Sequence, residues 1–351
     1  MADIKNIKIG SLTPDKRMTL HDGTVTEIKR TYKVVDGQPV IVWDIGTTPI
    51  IKNIIITKWN IAAGSFTFPA LTSDSIPYTL SWGDGSHSSG FSNTILEHTY
   101  AEPGEYTVTL DSEIIFENGY GKGIFYIGTA LSNQPCLKYV DMESSWISLS
   151  NEMFSGCTAL ETVRLSKQGQ ITSTPESLFS GCTNLKYLFN YENIKIIASN
   201  TFYCCTALSD IEFPALQSVG SYAFYNCGSL ESFILPETVS SIGDNVFTQS
   251  GLKNIKIPEN IKTVSSICYK CRKLETVKGL GLQSILTGSF WASTSLKEIE
   301  LSNNLKLIKK GAFSFASGAK IYFHGTKTEW NSVTKESGWY DTGSYTVIYI
   351  S

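Results

Sequence analysis

One aromatic position recurs every 21 to 25 residues through the second half of this 351-residue chain. Phe154, Phe179, Phe202, Phe224, Phe247, Phe290 and Phe313 head an F-x-x-C-x-x-L pattern, and Cys268 fills the same place between Phe247 and Phe290. A unit this short cannot close a core by itself. Its few apolar side chains contribute roughly 1.5–3 kcal/mol each only when a neighbouring unit covers them, so the repeat requires a solenoid of stacked turns.

The clearest unit runs from Cys227 through Leu230, Phe233, Leu235, Pro236, Val239 and Ile242 to Phe247. Apolar residues two apart at the end of the L-x-x-I-x-L stretch predict a short strand with one buried face, and Pro214, Pro236 and Pro258 then stop pairing. Each unit is expected to contribute one such strand. The V-x-x-I-x-x-x-A-F stretch that follows returns the chain and places its aromatic ring in the layer between units.

These units resemble the BspA-like leucine-rich-repeat family of bacterial and protist surface proteins, whose repeat reads close to Ala-Phe-x-x-Cys-x-x-Leu-x-x-Ile-x-Leu-Pro. The resemblance covers about residues 130 to 351. It extends to the ending, where Tyr322-Phe323-His324-Gly325-Thr326 and Glu329-Trp330 are similar to the family's closing motif. That motif implies a short helix and a last strand, Tyr345 to Ile350, capping the open core. The departures are Cys268 in the Phe position and Ser250, Ser293 and Ala316 in the Cys position.

Cys157, Cys182, Cys205, Cys227 and Cys271 share one repeat position and should form a column at the spacing of adjacent strands, about 4.7–4.9 Å. That spacing permits disulfides. Five is an odd number, however, and Ser or Ala serves in the same frame, so the position reads as a small buried residue and the thiols as free. Cys204-Cys205 and Cys268-x-x-Cys271 arise from the repeat frame and lack a second ligand pair at zinc-finger spacing.

Residues 46–128 lack the period and read as short strands separated by turns. Trp82-Gly83-Asp84-Gly85, followed by His98-Thr99-Tyr100 and by Pro103-Gly104-Glu105-Tyr106-Thr107-Val108, resembles the polycystic-kidney-disease (PKD) domain, an immunoglobulin-like sandwich. The resemblance implies a spacer role. Asp84 reads as a turn residue rather than a calcium ligand. Residues 1–45 read as a β-hairpin, with strands over 24–35 and 40–43 joined by Asp36-Gly37-Gln38-Pro39. Val40-Ile41-Val42-Trp43 is similar to a short motif at the start of some phage structural proteins. The expected architecture is therefore mostly β, with short helical or irregular return segments. A hairpin (1–45) precedes an immunoglobulin-like sandwich (46–128) and a BspA-type leucine-rich-repeat solenoid with a C-terminal cap (129–351).

A net charge of −3 gives no general attraction to phosphate or anionic lipid, so neither nucleic acid nor membrane insertion is expected. No apolar run reaches the roughly 18–20 residues needed to span a bilayer, and Met1 to Gly10 shows no signal peptide. Extracellular action then implies a separate leader or export by another route, such as a phage particle. His21, His87, His98 and His324 are scattered, and no nucleophile elbow, Walker loop or dinucleotide fingerprint occurs. Gly119-Tyr120-Gly121-Lys122-Gly123 reads as a flexible strand connection. No enzyme activity, metal or cofactor is expected.

Function is then expected on a surface. Side chains alternate along a strand, so the residues flanking each buried strand position face outward. Most such pairs, from Thr162/Arg164 to Glu298/Glu300, suit a solvated face. Tyr187 and Phe189 do not. With Arg164 on one side, Asp210 and Glu212 on the other, and Tyr139 two strands away, they have the composition of a binding hot spot. Ligand contact, packing against the N-terminal domain, or no role remain the readings for this cluster. The basic residues Lys253, Lys256, Lys262, Lys270, Arg272, Lys273 and Lys278 read as a solvated stretch. The functional expectation is a surface adhesion or recognition protein, an adhesin, that binds a host protein or glycan through the solenoid sheet. A phage or prophage component recognising a bacterial surface, and a structural spacer, are the alternatives.

Overall fold

The structure is a computed structural model describing residues 31–35, 38–42, 50–68, 77–91, 96–117, 120–122, 131–143, 149–167 and 171–350. Its contacts divide into two compact units, Met1–Ile51 with Ile114–Lys122, and Lys52–Glu113 with Gly123–Ser351. In the first unit, β1 (Thr31–Val35) pairs antiparallel with β2 (Gln38–Val42), and Val35 faces Gln38. Gln38 and Pro39, expected in the connection, thus pair within β2. Residues 24–30 and Trp43 of the expected strands lie outside the described residues.

The sandwich comprises β3 (Ile50–Ile61), β4 (Gly64–Phe68), β5 (Pro77–Ser81), β6 (His87–Phe91), β7 (Leu96–Tyr100) and β8 (Gly104–Glu117). One sheet has the order β3-β8-β5-β6, and β4 pairs with β7 in the other. The W-G-D-G motif forms the β5–β6 turn. A Cβ on Gly83 would stand 2.6 Å from the Thr107 carbonyl, at a φ of +87°, so only glycine fits there. Trp82 stacks on His98 at 4.9 Å, and the Tyr100 hydroxyl donates to the Trp82 carbonyl at 2.8 Å. The two halves of the motif therefore hold each other across the sandwich. Tyr120–Lys122 forms β9 and pairs with residues 115–117, so the glycine cluster read as a connection holds a short strand. The β-pairing of 120–122 overrides the looseness that glycine suggests.

The solenoid winds its backbone on three hydrogen-bonded faces. On the first, β10 (Leu137–Asp141), β11 (Thr162–Arg164) and β12 (Tyr187–Phe189) stack in parallel, with Val140, Val163 and Leu188 in one buried row. The second face is a ladder of dipeptides, beginning with β13 (Ile196–Ile197), β14 (Ser218–Val219) and β15 (Ser241–Ile242). The third lies at the aromatic turn. There the Phe179 N–H donates to the Thr201 carbonyl and the Phe202 N–H to the Ala223 carbonyl, both at 2.9 Å, and the pattern repeats down the chain. Phe154, Phe179, Phe202, Phe224 and Phe247 stack at 5.2–5.5 Å.

The aromatic turns from Phe154 to Phe290 are flanked by two left-handed residues that the sequence did not announce. Ser177, Asn200, Tyr222 and Asn245 precede the Phe at φ of 55–58°, and Gly181, Cys204, Asn226 and Gln249 follow it at 55–76°. A non-glycine residue in this region costs roughly 1–2 kcal/mol. Here the inter-turn ladder on both sides dictates the conformation, and Gly or Asn relieves the strain where present.

The remaining strands are β16 (Asn254–Lys256), β17 (Thr263–Val264), β18 (Thr276–Gly279), β19 (Ser284–Ile285), β20 (Glu298–Ser302), β21 (Leu307–Ile308) and β22 (Ala319–His324). They continue the first and second faces. Helix α1 (Lys327–Ser332) opens with a capping box between Thr326 and Glu329 and buries Trp330, whose ring lies 5.2 Å from Phe323. β23 (Thr334–Lys335) and β24 (Tyr345–Ile350) then pair with β21 and β22, completing the expected cap.

Two units depart from the expectation of one strand each. Residues 210–212 and 232–234 keep the alternation of buried and exposed side chains but form no strand. The buried residue is Ile211 in the first and Phe233 in the second, and the rings of Phe213 and Phe233 lie 6.1 Å from Phe202 and 4.7 Å from Phe224.

The sandwich and the solenoid share one sheet. β3 pairs antiparallel with β10, setting Lys58 opposite Tyr139 and Thr57 opposite Val140, and the strand order β12-β11-β10-β3-β8-β5-β6 is continuous. The Asn60 N–H donates to the Cys136 carbonyl at 2.9 Å, and Lys138 reaches Glu105 at 2.7 Å. Trp59 and Leu137 are fully buried at this seam. The first repeat thus has its edge covered by a strand of the sandwich, which closes the end a solenoid otherwise leaves open.

Candidate functional site

The register of β10, β11 and β12 lays out the expected cluster in two rows. Tyr139, Thr162 and Tyr187 are neighbours in one, and Asp141, Arg164 and Phe189 in the other. Val140, Val163 and Leu188 between them are buried, which turns both rows outward. Tyr187 is 57% exposed and Phe189 37%.

Arg164 organises the row. Its guanidinium lies 4.3 Å over the Phe189 ring, with Nη1 3.6 Å from Glu143 and Nε 3.9 Å from Asp141. Lys167 pairs with Glu143 on its other side and, through that bond, holds the carboxyl below the usual carboxylate range. Tyr139 donates to Asp141 at 2.9 Å and has Lys58 of the sandwich 5.4 Å over its ring. Burial first, then the Asp141 carboxylate, raises its phenol above the ordinary range.

Asp210 and Glu212 lie outside the hydrogen-bonded ladder but flank buried Ile211, so both carboxylates are exposed beside β12 in the repeat frame. Burial raises the Tyr191 phenol, a hydrogen bond to the Glu212 backbone opposes it, and the charges of Glu192, Asp210 and Glu212 raise it further. Among the described residues neither Asp210 nor Glu212 forms an ion pair. The basic stretch is different. Lys253 meets Glu231 at 2.5 Å, Lys256 meets Glu237 at 2.7 Å and Lys278 meets Glu300 at 2.7 Å, each across adjoining units.

Sequence reasoning missed two contributors. Lys58 belongs to the sandwich, and only the β3–β10 register brings it to Tyr139. Ile234 lies outside the cluster. At 61% exposed it lines a shallow groove of about 400 Å³ with Pro236, Asn254 and Lys256, two units beyond β12. Its exposed apolar side chain on a solvated face was the available signal.

The thiol column has a polar role in addition to its small size. Cys157, Cys182, Cys205 and Cys227 donate to the carbonyls of Leu131, Phe154, Phe179 and Phe202 in the preceding units, at 2.8–3.2 Å. The Ser293 hydroxyl repeats the bond to Cys268 at 2.8 Å. All eight cysteines are free. In the sandwich, Asp84 accepts from the Ser86 N–H at 2.9 Å and hydroxyl at 2.5 Å and meets His98 Nε2 at 2.6 Å. Its carboxylate is engaged in closing the turn.

Residues 126–218 and 217–334 match the BspA type leucine-rich-repeat region in six copies, and residues 61–113 match the PKD domain. No curated protein sequence matches the chain. Among solved structures, the leucine-rich-repeat protein of T. pallidum is 24% identical with a TM-score of 0.41, over 49% of this chain and 82% of its own. A leucine-rich cell surface protein of Faecalibacterium prausnitzii is 16% identical with a TM-score of 0.44, over 64% of this chain and 89% of its own. The pneumococcal vaccine antigen PcpA is 14% identical with a TM-score of 0.33, over 59% and 73%. With the repeat frame running through more than half its length and a PKD domain ahead of it, the chain belongs to the BspA-type leucine-rich-repeat family.

Proposed function

We propose that this protein is a bacterial cell-surface recognition or adhesion protein that engages an extracellular protein or glycan through the sheet face around Tyr187 and Phe189, with Tyr139, Arg164, Asp210 and Glu212 around them. The single observation that carries this is the pair of exposed aromatics on one strand, next to a guanidinium stacked on one of them. Exposed aromatic and Arg side chains at the centre of a broad face are the usual energetic anchors of binding. Family membership supports a surface role, since BspA-like proteins act at bacterial and protist surfaces.

A glycan and matrix-protein array identifies the ligand, and Tyr187→Ala with Phe189→Ala tests the site. Truncating a desolvated aromatic anchor costs about 2 kcal/mol or more, so the double variant should bind at least ~30-fold more weakly. Its folding stability should change by less than about 0.5 kcal/mol, as for exposed substitutions generally. Intact affinity combined with lost stability would make these rings packing residues.

A further inference from the structure

Three aromatic rings stand on the sheet face next to the sandwich seam: Tyr139, Phe189 and Tyr187. Two already carry a cation supplied by the protein. Lys58 lies over Tyr139, whose hydroxyl holds Asp141, and Arg164 lies over Phe189 with Asp141 and Glu143 within 4 Å of its guanidinium. A cation above a ring, balanced by carboxylate, is therefore the recurring arrangement of this face. The ring quadrupole and the anion attract the same charge.

Tyr187 breaks the pattern. It is the most exposed of the three rings, and among the described residues no cation lies over it. In the repeat frame Asp210 is the next unit's equivalent of Tyr187 and Glu212 that of Phe189, both exposed, and neither carboxylate has an ion-pair partner among the described residues. Farther along the same face the charges cancel, as between Lys253 and Glu231 and between Lys278 and Glu300. The uncompensated charge at the aromatic cluster is negative.

We propose that Tyr187, Asp210 and Glu212 form a seat for a Lys or Arg side chain of a protein partner, the cation lying over the Tyr187 ring and balanced by the two carboxylates. This rests on the sheet face being the recognition surface. A neutral glycan would leave both carboxylates uncompensated, and a polyphosphate or sulfated chain would be repelled. A free small amine would find no enclosing walls, because the seat lies on an open sheet.

A fluorescent Gly-Arg-Ser repeat peptide, compared with its counterpart carrying citrulline for every arginine, provides the probe. Citrulline keeps the shape and removes the charge. The arginine peptide should bind at least ~10-fold more tightly than the citrulline peptide and weaken as salt is raised. Asp210→Asn with Glu212→Gln, and separately Tyr187→Ala, should each weaken it at least ~10-fold. Glu298→Gln, an exposed acid on β20 of the same face, should leave binding unchanged. Equal loss in Glu298→Gln shows attraction by diffuse charge and overturns the proposal. So does equal binding of the two peptides, or binding of neither. The array ligand separates the two readings. If it is lost on Tyr187→Ala with Phe189→Ala but retained by Asp210→Asn with Glu212→Gln, the recognition face stands and the cation seat falls.

Discussion

The Cys205 thiol donates to the Phe179 carbonyl 3.1 Å away in the preceding unit, so the repeat's cysteine ties one aromatic turn to the next. Its equivalents at 157, 182 and 227 do the same, and Ser293 substitutes a hydroxyl. The position takes a small side chain, and Cys or Ser there adds a donor that Ala316 lacks. Replacing Cys205 with Ser should therefore retain more stability than replacing it with Val, by about 1 kcal/mol, the usual worth of such a bond. Chemical denaturation of the two variants measures the order, and the reverse order would remove the hydrogen bond from the explanation.

Cys157, Cys182, Cys205 and Cys227 should also be chemically silent. Burial pushes the Cys157 thiol up to about 11 and those of Cys182, Cys205 and Cys227 upward as well, so little thiolate forms near neutral pH. Native protein should react slowly with a thiol reagent, the half-buried Cys136 and Cys204 first, and all eight should react after denaturation without reductant. Fewer than eight in the denatured sample would mean disulfides.

Left-handed backbone at a non-glycine position gives an unusual sign. Ala292 sits at φ 56°, and Ala292→Gly should raise stability by roughly 0.5 kcal/mol, because relief of left-handed strain exceeds the entropy glycine adds to the unfolded chain. An ordinary Ala→Gly change does the opposite. Urea midpoints of the two proteins decide between these.

Acid should weaken the sandwich through Asp84. The Ser86 hydroxyl and N–H, then His98, hold its carboxyl below the usual carboxylate range. A carboxyl depressed in the folded state contributes stability that is complete above its unfolded value near 4 and is lost as pH falls further. Asp84→Asn should cost roughly 1 kcal/mol at neutral pH, allowing for solvent screening, and that difference should shrink below about pH 4. A pH-independent difference would assign the cost to shape alone.

The shared sheet predicts that sandwich and solenoid lose protection together. Leu137→Ala at the seam should cost about 2–5 kcal/mol, and amide exchange should accelerate both around Val108 in β8 and around Val163 in β11. Acceleration confined to the solenoid would make the two independent.

What the sequence determined by itself was the periodic part. The spacing of Phe154 through Phe313, the alternation around Leu188 and the closing Glu329-Trp330 are local signals, and repetition turns each local preference into stacked layers with one possible frame. That frame also sufficed to turn Tyr187 and Phe189 outward. The tertiary structure alone decided the rest. Lys58 meets Tyr139 because β3, distant in sequence, covers the first repeat's edge, and Arg164 settles on Phe189 because the carboxylates of Asp141 and Glu143 hold it there. That no strand forms at 210–212 and 232–234, where the alternation of buried and exposed side chains persists, is likewise visible only in the folded chain. Strand edges, ring stacks and charge balance depend on which nonlocal neighbours arrive, and a sequence period carries no record of them.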